Sequence, residues 1–235
     1  MLQKNWMELI KPSKMDVNVQ ENDGRTGRLI AEPLERGFGL TLGNAIRRVL
    51  LSSLQGAAIT SVKIKGVVHE FSTIPGVKED LTDILLNLKA IAVKVHSPGL
   101  KKMYIKANGS GELRAGNFET DSETEIMNKD QLIMTLDANA DVEIEANIET
   151  GKGYVSAEVA EDENKIIGEI KLDAMFSPVV KATYKIENSR VGQVTDYDKL
   201  IFDVETNGVI SPDDAIALSA RILQDQLQAF INFDE

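Results

Sequence analysis

The last long helix in this sequence has an apolar face too wide for one packing partner. Ser211-Pro212-Asp213-Asp214 is a helix start. The serine hydroxyl can cap, proline suits a first turn that needs no backbone donor, and two carboxylates meet the positive end of the helix dipole. The spacing predicts a helix from there to about Phe230. Leu218, Ile222 and Ala229 lie on one flank, and Ile216, Leu223, Leu227 and Phe230 on the other. Arg221, Gln224 and Gln228 mark the wet side. The apolar part covers roughly half the cylinder, against the ~100° stripe of an ordinary surface helix. Such a helix is either deeply buried or packed on two neighbours, and for a chain of 235 residues a second copy is a natural second neighbour.

A second helix is predicted in the N-terminal half, with Thr41 as its N-cap and Gly56 beyond its end. Leu42, Ala45, Ile46, Val49 and Leu50 follow the i, i+3, i+4, i+7, i+8 pattern of one buried face. On the wheel, Asn44, Arg47, Arg48 and Leu51 fall on the opposite side. That side is either a solvated back face with one stray leucine or a contact patch. Two guanidinium groups around an apolar anchor suit an acidic, partly apolar protein partner.

Most of the remaining chain reads as strand. Met15–Gln20 alternates, and Arg28–Ala31 follows the Asn22-Asp23-Gly24 turn and ends at Pro33. Gly37 and Gly39 bracket a tight loop. Val62 and Ile64 alternate with lysines. After Pro75-Gly76 comes a short helix with Leu81, Ile84, Leu85 and Leu88 on one face. Val93–His96, Met103–Ala107, Gln131–Leu136 and Val142–Ile148 read as strands, the last with a clean alternation. Gly109–Glu125 and Glu158–Lys165 read as loops. Ile166–Leu172, Val179–Ile186 and Leu200–Glu205 are the final strands, before an Asn207-Gly208 turn. Strands in runs with helices set apart predict an α+β fold rather than a wound parallel sheet.

Composition narrows the function. The chain is 43% hydrophobic and 27% charged, ample for a packed core. A net charge of -11 opposes a phosphate backbone, so nucleic-acid binding is disfavoured. The absence of cysteine removes disulfides, thiol catalysis and Cys-ligated metal. His69 and His96 have no partner at metal-ligand spacing. Gly37-Phe38-Gly39 begins like a dinucleotide loop, but the third glycine comes one position late, at Gly43. No catalytic constellation, cofactor motif, export signal or membrane-length apolar run is found.

Glu35-Arg36-Gly37-Phe38-Gly39 and the run Thr41-Leu42-Gly43-Asn44-Ala45-Ile46-Arg47-Arg48-Val49-Leu50-Leu51-Ser52-Ser53 resemble the first long helix of bacterial RNA polymerase α subunits. Val67-Val68-His69-Glu70-Phe71-Ser72, Glu79-Asp80 with Leu85-Leu86-Asn87-Leu88-Lys89, Gly151-Lys152-Gly153-Tyr154, Phe176-Ser177-Pro178-Val179, Thr195-Asp196-Tyr197-Asp198-Lys199-Leu200 and Glu205-Thr206-Asn207-Gly208 follow in the family's order.

The resemblance implies a cytoplasmic, nucleoid-associated scaffold that homodimerises and nucleates assembly by binding β and then β′. It would belong to an enzyme only as a subunit. It implies two lobes: a dimerisation lobe at 1–54 and 178–235, with two long helices on an antiparallel sheet, and an inserted, mainly-β lobe at 55–177. It places β contact on Arg48, Leu51, Arg47 and Asp83, and β or β′ contact on Lys89, Leu172, Val179 and Lys199. The dimer interface would comprise Phe38, Leu42, Ile46, Val49, Leu50, Ile216, Leu223, Leu227 and Phe230. Full-length α subunits continue into a DNA-binding module. This sequence stops at Glu235, so no direct DNA binding is expected of it.

Overall fold

The computed structural model describes residues 8–19, 24–157 and 168–231. In chain order its elements are β1 (Lys14–Val19), β2 (Thr26–Leu34), α1 (Phe38–Ser52), β3 (Gln55–Ile64), α2 (Leu81–Lys89), β4 (Val93–Val95), β5 (Lys101–Asn108), β6 (Gly111–Arg114), β7 (Thr124–Ile126), β8 (Leu132–Leu136), β9 (Asp141–Lys152), β10 (Tyr154–Val155), β11 (Glu169–Lys171), β12 (Ala174–Met175), β13 (Val179–Val191), β14 (Val194–Thr206) and α3 (Pro212–Gln228). The fold is α+β, with antiparallel sheets throughout. The chain divides into two compact units, Met1–Leu54 with Pro178–Glu235, and Gln55–Ser177.

The first unit is a four-stranded sheet in the order β1-β2-β14-β13, built from both ends of the chain. β2 and β14 pair Leu29 with Phe202 and Ala31 with Leu200. These four side chains are buried and form one core with Leu50, Leu54, Ala182, Ala215 and Ile216. The core therefore lies between one face of the sheet and the two helices. Tyr184 stacks on Phe202 with ring centroids 6.0 Å apart.

The second unit carries a larger core. Its main sheet runs β5-β9-β3-β4-β7, with β11 on β3. The alternation in β9 places Val142, Ile144, Ala146 and Ile148 on the buried face. The α2 stripe of Leu81, Ile84, Leu85 and Leu88 packs into the same core. A carboxylate ties α2 to the neighbouring strand. Glu79, just before α2, accepts hydrogen bonds from the Thr135 backbone N–H (2.6 Å) and hydroxyl (2.8 Å) on β8. Burial pushes the Glu79 carboxyl up, but these bonds outweigh it and hold the group below the usual carboxylate range.

Several local expectations change. β2 runs through Pro33 to Leu34, with a cis Glu32–Pro33 bond, because Leu34 still pairs with Asp198. The helix read from Thr41 begins at Phe38, and Thr41 sits inside it. That helix ends at Ser52, and Gly56 belongs to β3 rather than marking a helix end. The stretch Gly109–Glu125 is not one loop. It holds β6, a 3-10 turn at Ala115–Asn117 and the start of β7. These short segments are strands because β6 finds β8 and β7 finds β4, partners that local composition does not reveal. β13 and β14 are longer than read, since their charged ends pair with each other as a hairpin. The Glu158–Lys165 loop and the first residues of the Ile166–Leu172 strand lie outside the described residues, as do Asn22 and Asp23 of the first turn.

Glu79 supplies stability that is present above the unfolded carboxylate pKa and lost as pH falls through its lower folded value. Glu79→Gln should therefore destabilise the second unit by about 1–2 kcal/mol at neutral pH. The difference from wild type should shrink as the pH falls through the lowered folded pKa of Glu79. Urea unfolding followed by circular dichroism, from neutral into acid pH, checks this.

Candidate subunit interface

α1 lies close to β13 and β14 because two glycines open a notch in it. A Cβ on Gly43 would sit 2.8 Å from the Tyr184 ring, and one on Gly39 would sit 2.9 Å from the Asp198 carboxylate. The face turned to the sheet is therefore Gly39, Gly43 and Leu50, rather than the centre of the apolar stripe. This rotates the helix from the orientation its hydrophobic pattern predicts. Hydrophobicity scales give glycine little weight, yet only glycine allows this approach.

The rotation separates the two arginines. Arg47 is drawn toward the sheet, and its Nε donates to the Ala182 carbonyl on β13 at 3.0 Å. Both arginines are exposed, but Arg48 lies on the other flank, one turn from Leu51. Leu51 is half-buried and packs against the first unit's core, so it is not a stray leucine on a solvated face. The predicted grouping of Arg47, Arg48 and Leu51 on one outer side is corrected accordingly.

The rotation also leaves apolar side chains uncovered. Leu42, Ala45 and Val49 remain only half-buried, and Phe38 is 43% exposed. Leu50 is fully buried and Ile216 nearly so, so both are core residues whose side chains are not presented at the surface. Ile46 and Leu223 are half-buried. α3 behaves differently along its length. Ala215, Ile216 and Ser219 are buried, but every described residue from Gln224 on is exposed. Leu227 is 57%, Phe230 72% and Ile231 69% exposed. The broad apolar face thus divides into an inner half that holds the fold and an outer half turned to solvent.

The second unit offers its own surface. On α2, Asp83 and Lys89 are exposed, and Leu86 lies between them on the helical wheel, 56% exposed. Sequence reasoning passed over Leu86, although it lies outside the buried stripe of Leu81, Ile84, Leu85 and Leu88. Lys89 Nζ contacts Asp173 at 3.2 Å. The Asp173 carboxyl also accepts from the Ala157 backbone N–H at 2.9 Å, and that bond, with Lys89, holds it below the ordinary aspartate range. Val68 and Phe71 follow β3, and Phe71 is 82% exposed. Leu172 and Val179 are 6% and 5% exposed, each inside its own unit's core, so neither presents its side chain to a partner. Lys199 lies 4.0 Å from Glu32 and 3.9 Å from Glu187.

Residues 62–177, nearly all of the second unit, match the RNA polymerase Rpb3/RpoA insert domain family. The chain belongs to the α-type RNA polymerase subunits. The match falls on the unit that carries the Asp83, Leu86 and Lys89 surface. Among the described residues of this α-type subunit, no group of three or more His, Asp or Glu side chains is arranged to hold a metal ion. No helix among them is long and apolar enough to cross a membrane.

The adjacent arginines should separate in a stability assay. Arg47→Ala should lower the unfolding free energy of the first unit by about 1 kcal/mol, because it leaves the Ala182 carbonyl without its partner. Arg48→Ala should stay within about 0.5 kcal/mol of wild type. Paired urea titrations of the two variants measure the difference.

Proposed function

We propose that this α-type subunit is a non-catalytic assembly scaffold of a bacterial RNA polymerase, which pairs with a second copy of itself and then captures the β and β′ subunits. The observation that carries the reading is the exposed apolar surface left by the helices of the first unit: Phe38 on α1, with Leu227, Phe230 and Ile231 at the end of α3. Large apolar side chains exposed on two helices that touch are costly to leave in water and suit a protein–protein interface. A second copy fits, since a two-fold contact needs only one self-complementary patch. Leu42, Ile46, Val49 and Leu223 are half-buried on the same two helices and would extend this surface. Leu50 and Ile216 support it from the core beneath.

The partner-binding surfaces lie elsewhere. Arg48 is a forked donor free of the sheet, beside the half-buried Leu51, and this pairing suits a carboxylate-bearing, partly apolar β surface. Asp83, Leu86 and Lys89 form a second such patch on the insert domain. Lys199 is the remaining candidate for β or β′. Leu172 and Val179 act through the packing of their own units. The acidic balance of the chain supports protein partners over direct contact with DNA.

The chain should sediment as a dimer, and Arg48→Ala should leave that dimer intact. The same variant should weaken capture of β by about 2 kcal/mol or more if Arg48 is a central contact. Sedimentation of the isolated chain and co-purification with β and then β′ test both parts. A monomeric wild type, or full β capture by the variant, would sink the proposal.

A further inference from the structure

α1 begins without a cap of its own. Its N-cap residue is Gly37, with φ 86° and no side chain to accept a hydrogen bond from the first turn. The acceptor comes from the far end of the sequence. Asp198 Oδ2 on β14 accepts from the Gly37 backbone N–H at 2.9 Å and from the Gly39 backbone N–H at 3.0 Å. One carboxylate oxygen thus satisfies two of the amide donors that a helix start leaves unpaired, and places a negative charge at the positive end of the helix dipole.

The fit is built in from both sides. Asp198 is two residues before the buried Leu200, so it faces the helix-covered side of the sheet. The pairing of β14 with β2 shifts register beside Asp198, with the extra residue on β2 between Ala31 and Leu34, so the alternation along β14 is kept. On the helix, a Cβ at Gly39 would meet the Asp198 carboxylate at 2.9 Å, so any other residue there would push the acceptor away. Gly37 has a left-handed backbone that side chains resist.

The two tethered amides bracket Phe38. We infer that Asp198 is a positioning residue for the interface. By capping α1 from β14, it holds Phe38 in the orientation that a second copy of the chain meets, without contacting that copy itself. The inference rests on the self-association proposed above. It explains why Phe38, 43% exposed at the first turn of a helix, can serve as a defined contact rather than as a fraying end. Arg47, one face further along, makes a second tie at Ala182, so α1 is fastened to both β14 and β13.

The test compares wild type, Asp198→Ala and Asp198→Asn in the whole chain. Two quantities are read: amide exchange at Gly37 and Gly39 by NMR, and the dimer dissociation constant by concentration-dependent sedimentation. Losing a cap should speed exchange at both amides and weaken the dimer by about fivefold or more. Asparagine keeps an acceptor oxygen and should recover most of both effects, which a residue that merely fills space would not do. If Asp198→Ala does not fold, Asp198→Asn and Asp198→Ser carry the comparison, and exchange and dissociation must then rise in step. Unchanged exchange at Gly37 and Gly39 overturns the cap. Faster exchange with an unaltered dimer overturns its coupling to self-association. A wild type that is monomeric at every concentration overturns the self-association reading, and the exchange arm still decides whether Asp198 caps the helix.

Discussion

The antiparallel pairing of β2 with β14 is the constraint on which the first unit depends. It joins Leu29 to Phe202 and Ala31 to Leu200, so the unit's central strands come from opposite ends of the chain. Bringing such distant segments together costs loop-closure entropy, but that cost grows only logarithmically with the intervening length. The buried side chains of the shared core repay it. Once β14 is in place, it carries Asp198 to the start of α1 and Leu200 under Gly43. The pose of the helix, and so the identity of its outward residues, follows from a strand placed by long-range pairing.

That pose converts an apolar helix into a two-sided element. Glycines face the sheet, which brings the backbone close and turns part of the hydrophobic stripe outward. The same rotation takes Arg47 to the Ala182 carbonyl and leaves Arg48 free. Two neighbouring residues of identical chemistry therefore have different jobs. One pairs with a backbone carbonyl of the fold, and the other is available to a partner. In the insert domain the division is simpler, because α2 buries a regular stripe of four residues and shows Asp83, Leu86 and Lys89 on the outside. Glu79, directly before that helix, ties its start to β8 by accepting from the Thr135 N–H and hydroxyl, whereas α1 receives its carboxylate from a distant strand.

Local periodicity made much of this readable. The α2 stripe and the β9 alternation lie where the pattern puts them, because each is set by a period of the backbone itself. The start of α3 is also local: Ser211 accepts from the Asp214 N–H, as the motif requires. The Phe38–Gly39 start of α1 was hidden, because its cap lies on another strand. The short strands within Gly109–Glu125 were hidden too, since three- and four-residue segments are strands only when a partner is present. The resemblance places Leu50 and Ile216 at an outer interface, yet both are core residues, and an apolar pattern does not show how deeply each position sinks.

The sequence alone determined the α+β class, the positions of the three helices, the acidic balance and, through its long motif, the α-type polymerase family. These rest on residue order, backbone periods and composition, all of which are local or global sums. Tertiary structure decided which side of α1 faces the sheet, which arginine is free, how much of α3 remains bare and what caps the first helix. Each of those depends on atoms brought within a few ångströms by strand pairing between distant segments, and no pattern along the chain encodes such a distance.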